Sequence, residues 1–511
     1  MTSKSLQTVL GGGSLILVGT AVQLALGFVA RVIAARYLGS VDYGALALGI
    51  TLVTFLSTIC LLGTDIGVAR FLPRFDDGGV RRGVLISAFS ISAPVAGFTG
   101  IAIALFPHTA ARMLGAPDAA AVLQIFGLVV PFAAMLRLSV GGVRGLQRAM
   151  PRVYSQDIAL PVARLALIAA VIIAGGTVLD VAYAYLAAYA LAATLSVVFL
   201  AQYSSLFDRG VRPEWMYRRL LVFSTPLVLS SLAFTALSSI DVFLLSFYLP
   251  TTRPVGIYQA VYPLSKLLSM FAGPFGFILL PALSELDSDG NTAEIRRVYR
   301  TTVKWIFVLT LPVGLVFLAF PRTAILYTLG SEYVVAGPTL AVLSLAYLVH
   351  SAVGPNTEAL TSLGASRLVL VDHVLIACVN IALNALLIPR YSYFGAAIAT
   401  ALSFTLLNVL VSGQLYRRSQ VFPISSDTVR IGITGTGSFA AFVWVVTSWL
   451  RVEGLAAVVV VASLFAIAYV VIVLRFGIGP DELALFESLE HRFDFESSRL
   501  KRGLRRAAGE K

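Results

Sequence analysis

Charge is scarce in this chain. Only 13% of the 511 residues are Asp, Glu, Lys or Arg, against 58% apolar, and mean hydropathy is +0.88. Soluble domains carry about 25% charged residues, so a water-soluble fold is excluded. Cysteine is nearly missing as well. Cys60 and Cys378 both lie in apolar runs, which rules out a disulfide framework or a thiolate metal site and makes each read as a small buried hydrophobe. Enzyme motifs are also absent: the chain has no phosphate loop of Walker type, no CxxC, no HExxH and no nucleophile elbow. Neither catalysis nor ATP hydrolysis is expected of it, and no cofactor is called for.

Long apolar runs recur from residue 10 to residue 475 with no polar module between them. A helix needs about 20 such residues to cross a hydrocarbon core of about 30 Å. That window predicts fourteen transmembrane helices: 11–35, 43–66, 83–106, 120–143, 154–175, 182–202, 221–246, 257–281, 303–320, 336–361, 370–388, 395–416, 430–450 and 455–475. The first run is followed by no small-residue cleavage pattern and is expected to be retained. The fold class is therefore an all-α polytopic membrane protein.

The net charge of +12 would suggest nucleic acid as a partner in a soluble protein, but the placement of the cations argues against it. Of 38 Lys plus Arg, 28 fall on one side of the span map, six on the other and four within spans (28 + 6 + 4 = 38). Positive charge collects on the cytoplasmic side, so both termini are predicted to be cytoplasmic and the protein to be multi-pass in the cell (plasma) membrane. The tail 476–511 ends in a basic cluster, Arg499, Lys501, Arg502, Arg505, Arg506 and Lys511, suited to anionic headgroups.

The chain also resembles itself. Tyr37-Leu38-Gly39 followed by Tyr43-Gly44-Ala45 recurs as Tyr248-Leu249-Pro250 followed by Val255-Gly256-Ile257. Phe71-Leu72-Pro73 with Arg81-Arg82 recurs as Leu279-Leu280-Pro281 with Arg296-Arg297, and the region of Gly145-Leu146 recurs more weakly around Leu363-Gly364. The repeat predicts an N-terminal six-helix lobe over 1–210, a second over 211–418, an additional two-helix hairpin over 419–475 and the tail. Six is even, so the lobes share one orientation about an axis along the membrane normal, with a cleft able to open to either side.

These stretches resemble the oligosaccharide flippase branch of the multidrug/oligosaccharidyl-lipid/polysaccharide exporter superfamily. The resemblance is carried by Ala35-Arg36-Tyr37-Leu38-Gly39 with Tyr43-Gly44, by Arg144-Gly145-Leu146, by Asp241 with Val255-Gly256-Ile257-Tyr258, and by Leu280-Pro281 running to Arg296-Arg297-Val298-Tyr299. It implies movement of a lipid-linked oligosaccharide, on a polyprenyl or dolichyl phosphate or pyrophosphate, from the cytoplasmic to the outer leaflet, by a protein functional as a monomer. Leu26-Gly27-Phe28 to Ala35-Arg36 also looks like the first span of lipid-linked peptidoglycan precursor flippases, whose first helix places charge in the transport cavity at about the position of Arg31. Some ion-coupled drug exporters of the superfamily carry a carboxylate in that span; Leu15 to Ala35 holds none.

A cation at the bilayer centre costs about 2.5–3.5 kcal/mol on insertion scales and persists only facing a partner or a wet cavity. Arg31, Arg137, Arg164 and Lys266 are such cations, and a lipid pyrophosphate is the ligand their charge fits. Snorkelling to an interface is the bland alternative for Arg31 and Arg137, and an internal salt bridge that for Arg164 and Lys266. Asp241 can pair with Arg31, the reading favoured here, or carry a proton or sodium ion. Transport is then driven by an ion gradient or the membrane potential. His350 is expected to be a satisfied core histidine, and Asn380 with Asn384 to bond between helices. Two rivals remain open: a polytopic glycosyltransferase or polysaccharide polymerase, and a multidrug exporter. The first is opposed by the lack of a large loop, the longest being predicted near Ala282 to Thr302, and the second by the positive cavity.

Overall fold

The computed structural model describes residues 3–449 apart from 205 and 209, and residues 463–473 apart from 472. Arg451 and the basic tail 476–511 lie outside the described residues. All regular elements among the described residues are helices.

The chain divides into two compact units, Met1–Ala260 with Ile381–Ala396, and Val261–Asn380 with Ala397–Lys511. The first half of the chain is built from α1 (Ser3–Cys60), α2 (Thr64–Phe71), α3 (Gly78–Leu105), α4 (Pro107–Met113), α5 (Ala120–Gly145), α6 (Met150–Arg152), α7 (Leu160–Ile173), α8 (Val178–Tyr203), α9 (Tyr217–Tyr248) and α10 (Arg253–Lys266). The second half is built from α11 (Ala272–Ser288), α12 (Thr292–Ala319), α13 (Pro321–Thr328), α14 (Gly337–Val353), α15 (Asn356–Ser362), α16 (Ser366–Ser419) and α17 (Ser426–Trp449). In hydrocarbon each backbone amide must be satisfied within its own segment, which is why uninterrupted apolar sequence becomes helix here.

Eight helices among the described residues are long and apolar enough to cross a membrane, nine if a bent pair counts as one span. The protein is a multi-pass membrane protein. Two of the eight are double: Val18–Cys60 and Ser366–Ser419 run to 43 and 54 residues. Their backbones break at Gly39 (φ 75°) and Ser392 (φ 53°), between the predicted pairs 11–35 and 43–66, and 370–388 and 395–416. Glycine takes the left-handed region at little cost, which suits Gly39 to this turn.

The expected loop from Ala282 to Thr302 is mostly helix: α11 continues to Ser288 and α12 starts at Thr292, with the Asn291 side chain accepting from Glu294 N–H. A hydropathy window ends a span where polar residues begin, but helix propensity and a cap carry the backbone several turns further. Cys378 is likewise not buried. Cys60 is, whereas Cys378 is exposed on α16. An apolar residue on a membrane helix has no need of protein cover, and Ile173, Phe98 and Val222 are exposed in the same way.

Glycines set the closest helix approach within the first unit. A Cβ on Gly44 would sit 2.0 Å from the Thr252 carbonyl oxygen, and one on Gly256 only 1.8 Å from that of Ser40. The two copies of the repeated motif thus meet backbone to backbone. Thr252 fastens the joint, its N–H donating to Asp118 at 2.9 Å and its hydroxyl, with one proton to give, lying 2.7 Å from the same carboxylate and 2.9 Å from Val41 O.

Candidate functional site

Three of the predicted cations belong to the first unit. Arg31 lies on α1 ahead of the Gly39 break and is exposed; Arg137 is on α5 and Arg164 on α7, both half-buried. Arg164 is aimed by an irregularity just upstream. Pro161 has no N–H for the Asp157 carbonyl and its ring crowds that oxygen, and the turn before it, Val153–Ala159, widens into a π-helix.

Arg164 then meets α8 and α1. Its guanidinium carbon lies 5.4 Å from the centre of the Tyr185 ring, and a Cβ on Gly27 would come 3.2 Å from Arg164 Nη2. Its Nε is buried with no hydrogen-bond partner. Among the described residues neither Arg31 nor Arg164 forms an ion pair.

Tyrosines stand near all three arginines. Tyr189, one turn beyond Tyr185 on the same face of α8, lies within reach of the charges on Arg164, Arg31 and Arg137. Buried Tyr43 on α1 feels Arg31 and Arg164. The three arginines from α1, α5 and α7 are therefore brought to one tyrosine-lined neighbourhood. Planar guanidinium forks and phenolic hydroxyls are donors, and the group they suit is an oxyanion.

Arg137 differs from the other two in being engaged. It donates to Thr58 Oγ1 at 2.7 Å and Ser57 Oγ at 3.3 Å, and stands 3.6 Å from Asp65. Asp65 reaches it because α1 ends at Cys60 and the turn through Gly63 (φ 71°) starts α2 beside α5.

Asp241 has partners other than Arg31. Buried at 7% exposure, it is hydrogen-bonded to the Tyr258 side chain and accepts from Val242 N–H at 3.0 Å. The pairing with Arg31 favoured above is not formed. The Tyr258 phenol on α10 takes the place expected of Arg31.

Lys266 belongs to the second unit. It is the last residue of α10, exposed, just before a 3-10 turn at Leu267–Ser269. His350 is a satisfied histidine, its Nδ1 3.0 Å from Asn408 Oδ1 and its ring 4.7 Å from Phe404. Asn380 donates to Ser403, across the break in α16.

Sequence reasoning missed Tyr43, Tyr185 and Tyr189, although the four-residue spacing of the last two on an apolar helix was a readable sign. It offers no sign of Asp157 either. Asp157 is fully buried in the π-helix, both oxygens lack hydrogen bonds, and Arg152 is 3.8 Å away. Two cavities of about 370 and 300 Å³ lie elsewhere, one lined by Arg322 and Pro338, the other by Arg300 and Lys304.

The chain is 28% identical over 197 residues to the probable low-salt glycan biosynthesis flippase Agl15 of Haloferax volcanii, covering 38% of this chain and 41% of the relative. It is 30% identical over 188 residues to the probable flippase AglR of the same organism, covering 36% and 39%. The chain thus spans about two fifths of the length of these curated relatives. Among solved structures it superposes on an inward closed lipid II flippase MurJ with a TM-score of 0.73 at 14% identity, over 90% of this chain and 99% of the other. An inward-facing multidrug resistance MATE family transporter of the MOP superfamily superposes with 0.66, also at 14% identity, over 78% and 94%. At such identity these two likenesses show the fold alone. The sequence match of the polysaccharide biosynthesis protein family runs over residues 9–287, more than half of the chain, and the protein belongs to that family.

Proposed function

We propose that this protein is a flippase that carries an isoprenoid-lipid-linked oligosaccharide from the cytoplasmic to the outer leaflet by alternating access. One observation carries the reading. Arg164 holds a guanidinium among apolar helices with a buried Nε that nothing satisfies and no carboxylate paired to it. A charge kept in a membrane helix without a partner is kept for a ligand.

In this reading the phosphates of the carrier lipid meet Arg164 and Arg31, with hydroxyls of Tyr185 and Tyr189 beside them and Arg137 adding to the positive field; Lys266 is proposed as a further phosphate-binding cation from its place in the sequence. The sugars stay hydrated and the isoprenoid tail stays in lipid. Because the site must later release the anion, each cation contributes modestly and the binding is shared. Orientation with both termini cytoplasmic, in the plasma membrane, follows from the excess of basic residues on one side. Family membership and the flippase names of the Haloferax relatives support transport over chemistry. The six-helix lobes over 1–210 and 211–418, with the hairpin to 475, are the moving parts proposed from the internal repeat.

The test is reconstitution of the full chain in liposomes with a fluorescent lipid-linked oligosaccharide. Translocation with unchanged substrate mass is expected, and its loss in Arg164→Ala, Lys266→Ala and the double variant at unchanged membrane level. Translocation persisting in all three defeats the site assignment. A change of substrate mass favours the glycosyltransferase reading.

A further inference from the structure

The second unit contains a basic cavity that the transport reading does not use. α12 begins well before its apolar stretch, and Arg296, Arg300 and Lys304 follow one another at four-residue steps along one face. With Arg297 they line a cavity of about 300 Å³, closed on the other side by Ser425, Ser426 and Asp427 at the start of α17. That volume is at the lower end of small-ligand pockets. Four cations against one carboxylate leave the lining at +3 (4 − 1), or +2 counting Glu294, which stands 3.7 Å from Arg297. Lys304 is only 5% exposed.

The elements that close the cavity are fixed. Arg300 Nε donates to Phe422 O at 3.1 Å, holding the connection between α16 and α17 against α12. Ser425 caps α17, its Oγ accepting from Thr428 N–H at 3.1 Å. The positive end of that helix therefore faces a wall that is already cationic.

The internal repeat provides a control. In the first unit the corresponding connection, after α8, is seated on the start of α3: Glu214 N–H donates to Gly79 O at 3.1 Å, and a Cβ on Gly83 would overlap Glu214 O at 1.7 Å. There Arg82 donates to the carbonyls of Leu206 and Val211. Counted from the capping residues Asp77 and Asn291, a register one residue off that of the repeated arginine pairs, the place of Gly83 is taken by Arg297 in the second copy. One copy thus uses glycine to seat its strap directly on the helix, while the other sets cations there and leaves space.

We propose that this cavity binds a phosphate group, with Arg296, Arg300 and Lys304 supplying charge and the first turn of α17 supplying N–H and hydroxyl donors. The group is borne either by a membrane phospholipid or by a soluble phosphate. Asp427 opposes it and tunes the affinity downward.

The test is equilibrium binding to the purified full chain in detergent, by calorimetry with inorganic phosphate and by native mass spectrometry with phosphatidic acid against phosphatidylcholine. Variant-sensitive binding of phosphatidic acid alone supports the site with a lipid source; of inorganic phosphate alone, with a soluble source; of both in competition, a site that reads the phosphate itself. Arg296→Gln and Arg300→Gln should each weaken binding about tenfold, the scale of one charge-assisted hydrogen bond. Asp427→Asn should tighten it, a gain that misfolding cannot produce. No binding of either probe, or binding that these substitutions leave unmoved, overturns the assignment. Because binding is read without transport, its failure is separate from failure of the flippase reading.

Discussion

Replacing Arg164 by Met, which keeps length and packing volume but removes charge and donors, separates a ligand-binding arginine from a structural one. In the resting protein its guanidinium gains a cation–π contact with Tyr185 at 5.4 Å and leaves one buried N–H unsatisfied. The first is worth about 0.5–2 kcal/mol and the second costs about 1–3 kcal/mol. These oppose each other, so Arg164→Met should cost folding stability no more than about 1 kcal/mol and can raise it by up to about 2.5 kcal/mol, the extremes of those two effects. Its effect on an anionic substrate is not offset. Losing a charge-assisted hydrogen bond of about 1.5–3 kcal/mol weakens apparent affinity by about ten- to a hundredfold. Thermal unfolding in detergent and concentration-dependent translocation in liposomes read the two quantities on the same preparation. Stability falling by more than about 2 kcal/mol, with transport tracking the folded fraction, would refute the reasoning and make the arginine a packing residue.

Two further substitution series follow from the packing. Gly44→Ala and Gly256→Ala each force a methyl group to within 2.0 Å or less of a backbone oxygen, so each should destabilise the fold by about 1–3 kcal/mol. They act on one joint, so the double variant should cost less than their sum in thermal unfolding. Arg137→Gln and Asp65→Asn should each lower stability by about 1 kcal/mol, discounted because the arginine side chain is 36% exposed. Their double-mutant cycle should show positive coupling; additive effects would mean that the 3.6 Å pair contributes nothing.

The sequence by itself determined the membrane class, the positions of most helices and the identity of the anomalous cations. All three rest on local quantities: apolar run length, and a charge standing where hydrocarbon should be. His350 as a core residue was legible for the same reason. Partners were not legible. Arg137 meets Asp65 across a sequence separation that only the α1 to α2 turn closes, and Asp241 takes Tyr258 from the following helix instead of Arg31. The tyrosine lining of the arginine neighbourhood and the π-helix before Pro161 also depend on which helix faces fold inward. The basic stripe on α12 was visible as charge at a span end. That it lines a cavity capped by α17, while its counterpart on α3 is covered by a strap seated on glycine, was settled only by tertiary packing, because backbone contact over glycine leaves no periodic mark in a sequence.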